Sequence, residues 1–136
     1  MTVDLERTLV FIKPDAIKRK LVGEIIKRFE LKGFEIVDLK KMVISPELSD
    51  LHYKDHLDKS FYPRLKAFIT SGPVIIMILE GRNAVDVVRK MIGSTDSGKA
   101  EAGTIRGDYS LSETRNIIHA SDSAESALRE IKNFFA

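Results

Sequence analysis

The stretch VIIMIL, residues 74–79, is the longest apolar run in the chain, and the fold prediction starts from it. Gly72-Pro73 precedes it, and it is rich in β-branched residues, so it predicts a fully buried strand. A helix that spans a bilayer needs about 20 apolar residues, and this run is far too short for that. The segment therefore belongs to a protein core.

Three further segments have the composition of strands. TLVFI, residues 8–12, is a β-rich run that stops at Pro14 and predicts a second buried strand. Residues 34–44 alternate between apolar and polar side chains, with one slip near Val37. The short run NIIH, residues 116–119, ends in a histidine. These segments bring the predicted strands to four.

Apolar residues at helical spacing separate these strands. Ser45-Pro46 is a helix start, Asn83 is placed as an N-cap, and Asp122 and Glu125 have the spacing of a capping box. Helices are predicted over residues 21–32, as two short pieces within 47–70, over 84–92 and over 124–135. Strands interleaved with helices predict an α/β sandwich formed by one domain, residues 1–136. The periodicity leaves parallel and antiparallel sheets equally open.

Composition and charge exclude several classes of protein. The chain has 22 Lys and Arg against 20 Asp and Glu, a net charge of +2, which gives no general case for binding nucleic acid or a membrane. It has no cysteine, which excludes disulfides, thiolate chemistry and cysteine-based zinc sites. The first residues lack the pattern of a signal peptide. We expect a soluble cytoplasmic protein.

One segment, GSTDSGKA at residues 93–100, nearly matches a phosphate-binding P-loop. The residue after Lys99 should be Ser or Thr, whose hydroxyl binds Mg²⁺, but it is Ala100. The segment also follows a predicted helix, whereas a P-loop follows a strand. We therefore interpret residues 93–115 as a long polar loop, which in a compact domain is usually functional.

A second segment, HYKDH at residues 52–56, carries two histidines four positions apart. His52 and His56 have the spacing of metal ligands on a helix, but Tyr53 stands where a metalloprotease has its catalytic Glu. A solvated helix face explains the pair better. No protein-bound metal is predicted there.

A histidine and scattered cations remain as candidates for chemistry. Arg and Lys side chains suit the spread charge of a transferring phosphoryl group, and Arg106 lies in GTIRGD within the long loop. His119 ends a predicted strand, and small residues follow it. Glu130 on the last helix is positioned to reach back to its imidazole. Taken singly, each is more often a structural or surface residue.

Four segments together resemble the nucleoside diphosphate kinase family: TLVFIKPDA (8–16), SGPV (71–74), GTIRGD (103–108) and RNIIHASDS (115–123). The resemblance runs in order over nearly the whole chain. It implies a ferredoxin-like α/β sandwich with a four-stranded antiparallel sheet. It also implies ping-pong transfer of the terminal phosphate from a nucleoside triphosphate to a nucleoside diphosphate.

The resemblance also assigns residues. It implies that His119 becomes phosphohistidine, that Glu130 bonds its other ring nitrogen, and that Ser121 lies close by. The residues implied around the phosphates are Lys13, Tyr53, Arg89, Thr95 and Arg106. Those implied around the nucleoside are Asn116 and Lys13 at the sugar hydroxyls, Phe61 stacked on the base, and Leu65 near it.

Cofactor and partners follow from the same resemblance. Mg²⁺ is expected to arrive on the nucleotide phosphates, without a carboxylate cage from the protein. The expected substrates are nucleoside triphosphates and diphosphates such as ATP, GTP, UDP and GDP. The expected assembly is a homo-oligomer, either a hexamer or a tetramer.

The chain departs from the family pattern at three positions. Ala120 stands where Gly usually follows the histidine, which is harmless if its φ is negative. Glu113 and Thr114 also differ from the usual residues. The alternative function is a nucleotide-binding regulatory module without phosphotransfer. Four residues present together argue against that alternative: His119, Lys13, Arg106 and Glu130.

Overall fold

The computed structural model describes residues 5–113 and 115–135. Its four strands form one sheet in the order β2-β3-β1-β4, and every neighbouring pair is antiparallel. The predicted α/β sandwich with an antiparallel sheet is confirmed. The strands are β1 (Leu5–Ile12), β2 (Glu35–Val43), β3 (Pro73–Arg82) and β4 (Ile118–Ala120).

Helices connect the strands and cover the sheet. None of those in the described part of the chain is long and apolar enough to cross a membrane. The helices are α1 (Pro14–Lys18), α2 (Val22–Lys32), α3 (Pro46–His52), α4 (Tyr62–Ile69), α5 (Ala84–Ile92), α6 (Ile105–Tyr109) and α7 (Ala124–Phe135), with 3₁₀ turns at Lys54–His56 and Ser97–Lys99.

The two central strands explain the continuous apolar runs. Successive side chains of a strand point to opposite faces, and both faces of β1 are covered. Val10 belongs to a core cluster that includes Phe29 of α2 and Val88 of α5. Leu9 and Phe134 belong to a second cluster on the other face, formed with α4 and α7. Because helices cover both faces, β1 and β3 carry no polar alternation at their centres.

The slip in the alternation of β2 marks a β-bulge. Ile36 pairs with Leu79 and Asp38 pairs with Ile78, so Val37 is the extra residue between them. The predicted position of the irregularity is confirmed.

Two short helices were absent from the sequence prediction. Pro14 begins α1 as well as ending the preceding strand, because its fixed φ suits the first position of a helix. Within the long polar loop, Oγ1 of Thr104 accepts a hydrogen bond of 3.0 Å from the amide of Gly107 and starts α6. Five-residue helices show no apolar periodicity, so the loop prediction was wrong over residues 105–109.

The N-caps of two helices also differ from the prediction. Asn83 precedes α5 with φ of 51°, but its side chain caps nothing; Glu6 accepts from the amide of Val85 at 2.8 Å instead. At α7, Oγ of Ser123 accepts from the amide of Ser126 at 3.0 Å. The capping residue is therefore one position after the predicted Asp122. By contrast, Ser45 caps α3 as predicted.

Candidate active site

His119 lies in the middle of β4, where the strand pairs with β1. Its register partner is Phe11, and the two rings stack with centroids 4.6 Å apart and planes inclined by 23°. Lys13 directly follows the end of β1, so the β1–β4 pair brings it to the same end of the sheet. The stacked Phe11 ring covers one face of the imidazole and fixes its plane.

Glu130 of α7 orients the imidazole from the side. Its Oε1 lies 2.8 Å from Nε2 of His119 and accepts a hydrogen bond of 2.9 Å from Oγ of Ser121. A carboxylate accepts, so Nε2 carries the proton in this arrangement. Nδ1 of His119 has no hydrogen-bond partner among the described residues, and its lone pair is free to react.

The surroundings keep the His119 imidazole neutral. Burial lowers its pKa well below 6.5, and the positive charges of Lys13 and Arg106 lower it further. Burial has the opposite effect on the acid Glu130 and raises its pKa.

Lys13 is a buried cation held by an amide. It is 5% exposed, and its Nζ donates a hydrogen bond of 2.6 Å to Oδ1 of Asn116. Burial and the charge of Arg106 lower its pKa to about 7. The Nδ2 of Asn116 donates to the carbonyls of Thr95 and Glu113, which ties the long loop to the segment before β4.

Arg106 is the second buried cation. Three of its N–H groups donate to backbone carbonyls, of Asn116 at 3.3 Å, Gly93 at 3.0 Å and Ile118 at 2.7 Å. Burial and the charge of Arg89 lower its pKa to about 10. A guanidinium has five N–H donors, so two remain for a ligand.

A cavity of about 290 Å³ opens beside the histidine. Tyr53, Arg89, Thr95, His119 and Glu130 all line it, which brings five predicted residues together. Burial raises the pKa of Tyr53, so its hydroxyl stays a neutral donor. A larger cavity of about 470 Å³, between α1 and residues 110–115, contains none of the predicted residues.

The residues predicted to hold the base lie outside this cavity. Phe61 is 53% exposed, and its ring centroid is 5.7 Å from that of His56, which lines the cavity. Leu65 is half-buried on α4, one turn after Phe61. The exposed Phe61 ring is therefore available at the rim, where a flat ligand could stack on it.

His52 is a residue that sequence reasoning misplaced. The solvated face predicted for the histidine pair holds for the exposed His56, but His52 is only 8% exposed. Its ring packs edge-on against His119, with centroids 4.7 Å apart. Burial lowers its pKa to about 3, and its Nδ1 is buried without a hydrogen-bond partner in the part of the chain that the structure describes. Its position four residues after the core residue Leu48 was the available signal.

The departures from the family pattern have simple structural outcomes. Ala120 is not one of the positive-φ residues; it pairs with Val10 inside the sheet, so its methyl group is accommodated. The Glu113 side chain is exposed, and only its carbonyl contacts Asn116. Thr114 lies outside the described residues. Ile117, between Asn116 and β4, has φ of 64°, which is rare for a β-branched residue.

Comparison with known proteins agrees with this geometry. The family model for nucleoside diphosphate kinase matches residues 6–136. A nucleoside diphosphate kinase of Methanocaldococcus jannaschii is 59% identical over 130 residues, which cover 96% of this chain and 93% of that protein. One of Sulfurisphaera tokodaii is 53% identical over 133 residues, covering 98% and 90%.

Solved structures show the same similarity. A nucleoside diphosphate kinase of Halobacterium salinarum, in complex with CDP, superposes with a TM-score of 0.94 at 47% identity, covering 96% of this chain and 87% of that one. One of Aquifex aeolicus gives a TM-score of 0.93 at 41% identity, covering 97% and 96%.

Proposed function

The chain belongs to the nucleoside diphosphate kinase family and has that family's kinase activity, and we propose that His119 carries the phosphoryl group between the two nucleotides. One observation carries the proposal: Nε2 of His119 is bonded to Glu130 at 2.8 Å while Nδ1 is free. The comparisons give no support to the alternative of a regulatory module without phosphotransfer.

The proposed reaction has two halves that use the same atom. The Nδ1 lone pair attacks the terminal phosphorus of the triphosphate, an N–P bond forms, and the bond to the bridging oxygen breaks. The electron pair leaves with the nucleoside diphosphate. Nε2 keeps its proton, and the Glu130 carboxylate stabilises the positive charge that develops on the ring. A second diphosphate then reverses these steps.

Positive charge around the phosphates supplies the electrostatic stabilisation. Arg89 lines the cavity beside His119, and the buried Lys13 and Arg106 lie close enough to depress the pKa of the imidazole. These cations are fixed before the substrate arrives, so little reorganisation is needed during transfer. Tyr53 and Thr95 add hydroxyl groups at the wall of the cavity.

The nucleoside is proposed to extend from the cavity toward α4. Asn116 and Lys13 offer polar groups for the sugar hydroxyls, and Phe61 offers an exposed aromatic face for the base, with Leu65 beside it. Stacking does not read base edges, so we expect ATP, GTP, UDP and GDP all to bind. The Halobacterium relative was solved in complex with CDP, which supports nucleotide binding by this chain.

Mg²⁺ fits this site as an ion carried by the substrate. The cavity wall contains two arginines, Arg89 and Arg129, and its carboxylates are Asp55, Asp122 and Glu130, the last of which is already bonded to His119. When bound, the ion would neutralise phosphate charge, mostly through phosphate oxygens and water. Asp122, which is exposed, is the carboxylate that would hold it from the protein side.

Self-association and a cytoplasmic location are part of the same proposal. β2 is an edge strand, and its exposed apolar side chains include Leu39, 43% exposed, and Val43, 58% exposed. Unpaired edges of this kind readily pair with another chain, which supports a homo-oligomer, hexamer or tetramer. Size-exclusion chromatography with light scattering would give the number of subunits. The absence of cysteine suits a reducing compartment.

Intact-protein mass spectrometry tests the phosphohistidine directly. After brief incubation with Mg²⁺ and ATP, the protein should gain one phosphoryl group, which UDP should remove with formation of UTP. His119→Gln should bind ADP but gain no phosphate, whereas the control Glu125→Gln, at an exposed position of α7, should react normally. A phosphoryl group that persists in His119→Gln would move the nucleophile elsewhere.

A further inference from the structure

We propose that His52, His119 and Glu130 form a binding site for a divalent transition-metal ion such as Zn²⁺. Each residue offers one ligand atom, and these atoms all lie within 4.8 Å of one another. The cluster is reached from the cavity of about 290 Å³, which all three residues line. The site differs from the Mg²⁺ position, because its ligands are mainly nitrogen and belong to the protein.

The ligand set matches the preference of zinc. Two imidazoles and one carboxylate are the three protein ligands of a familiar class of zinc site, in which water fills the fourth position. A metal binds an imidazole through a nitrogen lone pair, so each histidine can supply one ligand atom. Binding at Nε2 of His119 displaces the proton that this nitrogen shares with Glu130.

The unpartnered nitrogen of His52 points independently to a ligand. His52 is more than nine-tenths buried, and its Nδ1 has no hydrogen-bond partner within residues 5–113 and 115–135. Buried polar atoms in native proteins nearly always have one. The packing of Phe11 and Phe134 around this ring supplies none, since both side chains are apolar. A metal ion would satisfy the orphaned nitrogen.

The three ligand atoms lie within 4.8 Å of one another, so they must shift to meet a common ion. Ligand atoms around a tetrahedral zinc are about 3.3 Å apart, given bonds of about 2.0–2.1 Å. Nε2 of His119 and Oε1 of Glu130 are now 2.8 Å apart, joined by a shared proton that a metal would replace. Ser121 donates to the same carboxylate oxygen and would steady it, as groups behind metal ligands usually do.

The surrounding charge sets which metals can bind. Lys13, Arg89, Arg106 and Arg129 are all near enough to affect the two imidazoles, and they repel any cation. Mg²⁺ prefers oxygen ligands and gains little from imidazole, so it cannot offset this repulsion. Zn²⁺ and Co²⁺ form strong bonds to imidazole nitrogen. The site is therefore selective for imidazole-binding metals.

Occupancy of the site would stop phosphoryl transfer. A metal on His119 replaces the proton that Glu130 holds on the ring and adds charge to the group that must attack. Zinc and the phosphohistidine are thus mutually exclusive. Metal binding itself does not depend on His119 being the nucleophile, so the two proposals can fail separately.

Titration with Co²⁺ provides a readout independent of activity. Four-coordinate Co²⁺ bound through nitrogen gives visible absorption bands, and Zn²⁺ should displace it and remove them. Metal-free protein without nucleotide should bind one equivalent per chain. His52→Gln should weaken binding at least about tenfold. The matched control His56→Gln, which changes the other histidine of HYKDH, should bind as the unchanged chain does.

Three results would overturn the proposal: no visible bands, undiminished binding in His52→Gln, or binding lost in His56→Gln. The last would assign the metal to a site that includes the exposed His56. Circular dichroism checks that each variant is folded. If His52→Gln unfolds, Glu130→Gln serves as the second ligand variant, with Glu125→Gln as its control on the same helix.

Discussion

Nζ of Lys13 lies 2.6 Å from Oδ1 of Asn116, although the two residues are 103 positions apart in the sequence. The contact joins the end of β1 to the residue that begins the approach to β4. It also holds a nearly buried cation where phosphates are proposed to bind. A buried lysine with a pKa of about 7 is poised to change its charge when an anion arrives.

Nucleotide binding in alkaline solution should therefore take up a proton. Above about pH 8 the free protein holds Lys13 mainly neutral, and bound phosphate raises its pKa again because opposite charge favours the ammonium form. Calorimetry of ADP binding in two buffers of different ionisation enthalpy should show uptake approaching one proton per site. Lys13→Met should abolish the uptake, and an unchanged uptake in that variant would assign the proton elsewhere.

His119 should remain neutral as the pH falls through the usual range of histidine. Its lowered pKa means that the neutral, nucleophilic form of the imidazole persists below pH 6.5. Nuclear magnetic resonance titration of the free protein would test this. The chain has three histidines, so His52→Gln and His56→Gln assign the remaining signal. Half-protonation of His119 at or above pH 6.5 would contradict the burial argument.

Replacement of Glu130 by Gln should slow phosphorylation without weakening nucleotide binding. The Gln amide can present its N–H₂ to Nε2, which favours the tautomer with the proton on Nδ1 and removes the reactive lone pair. We expect a loss of about 10–100-fold in the rate of His119 phosphorylation. Rapid-quench measurement would show it, with the exposed Glu125→Gln as the control on the same helix. Equal rates would remove the orienting role from Glu130.

Phe61→Ala should weaken all nucleotides by a similar amount. Loss of base stacking costs about 1–3 kcal/mol and does not depend on base edges. Affinities for ADP, GDP and UDP should fall together, while Phe61→Trp should retain them. A loss confined to one base would mean that the base is read by hydrogen bonds instead.

Ala120→Gly should lower stability and leave activity unimproved. Ala120 has no positive φ and is buried in the core, so glycine adds chain entropy, at a cost of about 0.5–1 kcal/mol, and also removes a buried methyl group. Urea unfolding of the two proteins would measure the difference. A more stable or faster glycine variant would show that the methyl group is strained.

The sequence predicted what depends on side-chain pattern. VIIMIL and TLVFI are continuous apolar runs because helices cover both faces of β3 and β1. The slip near Val37 was visible because a bulge moves every later side chain of the strand to the opposite face. The direction of the strands came from the family resemblance, since a buried strand looks the same in either orientation.

What the sequence did not predict depends on contacts between distant residues. Glu6 of β1 caps α5. His52 is buried because α3 packs near α7 and β4. α6 is held by one threonine and is too short to show periodicity. In the site, five predicted residues line one cavity, whereas the positions proposed for Phe61 and Leu65 against a base still rest on the resemblance.

The pairing of β4 with β1 has a consequence for how the protein is made. Synthesis delivers Lys13 early, whereas β4 and the helix carrying Glu130 come long after β1 in the sequence. Until they leave the ribosome, the nascent chain has the cations of the site without the imidazole between them. Phosphohistidine can therefore form only after β4 has paired with β1. A phosphorylation measurement thus also reports the fraction of correctly folded molecules.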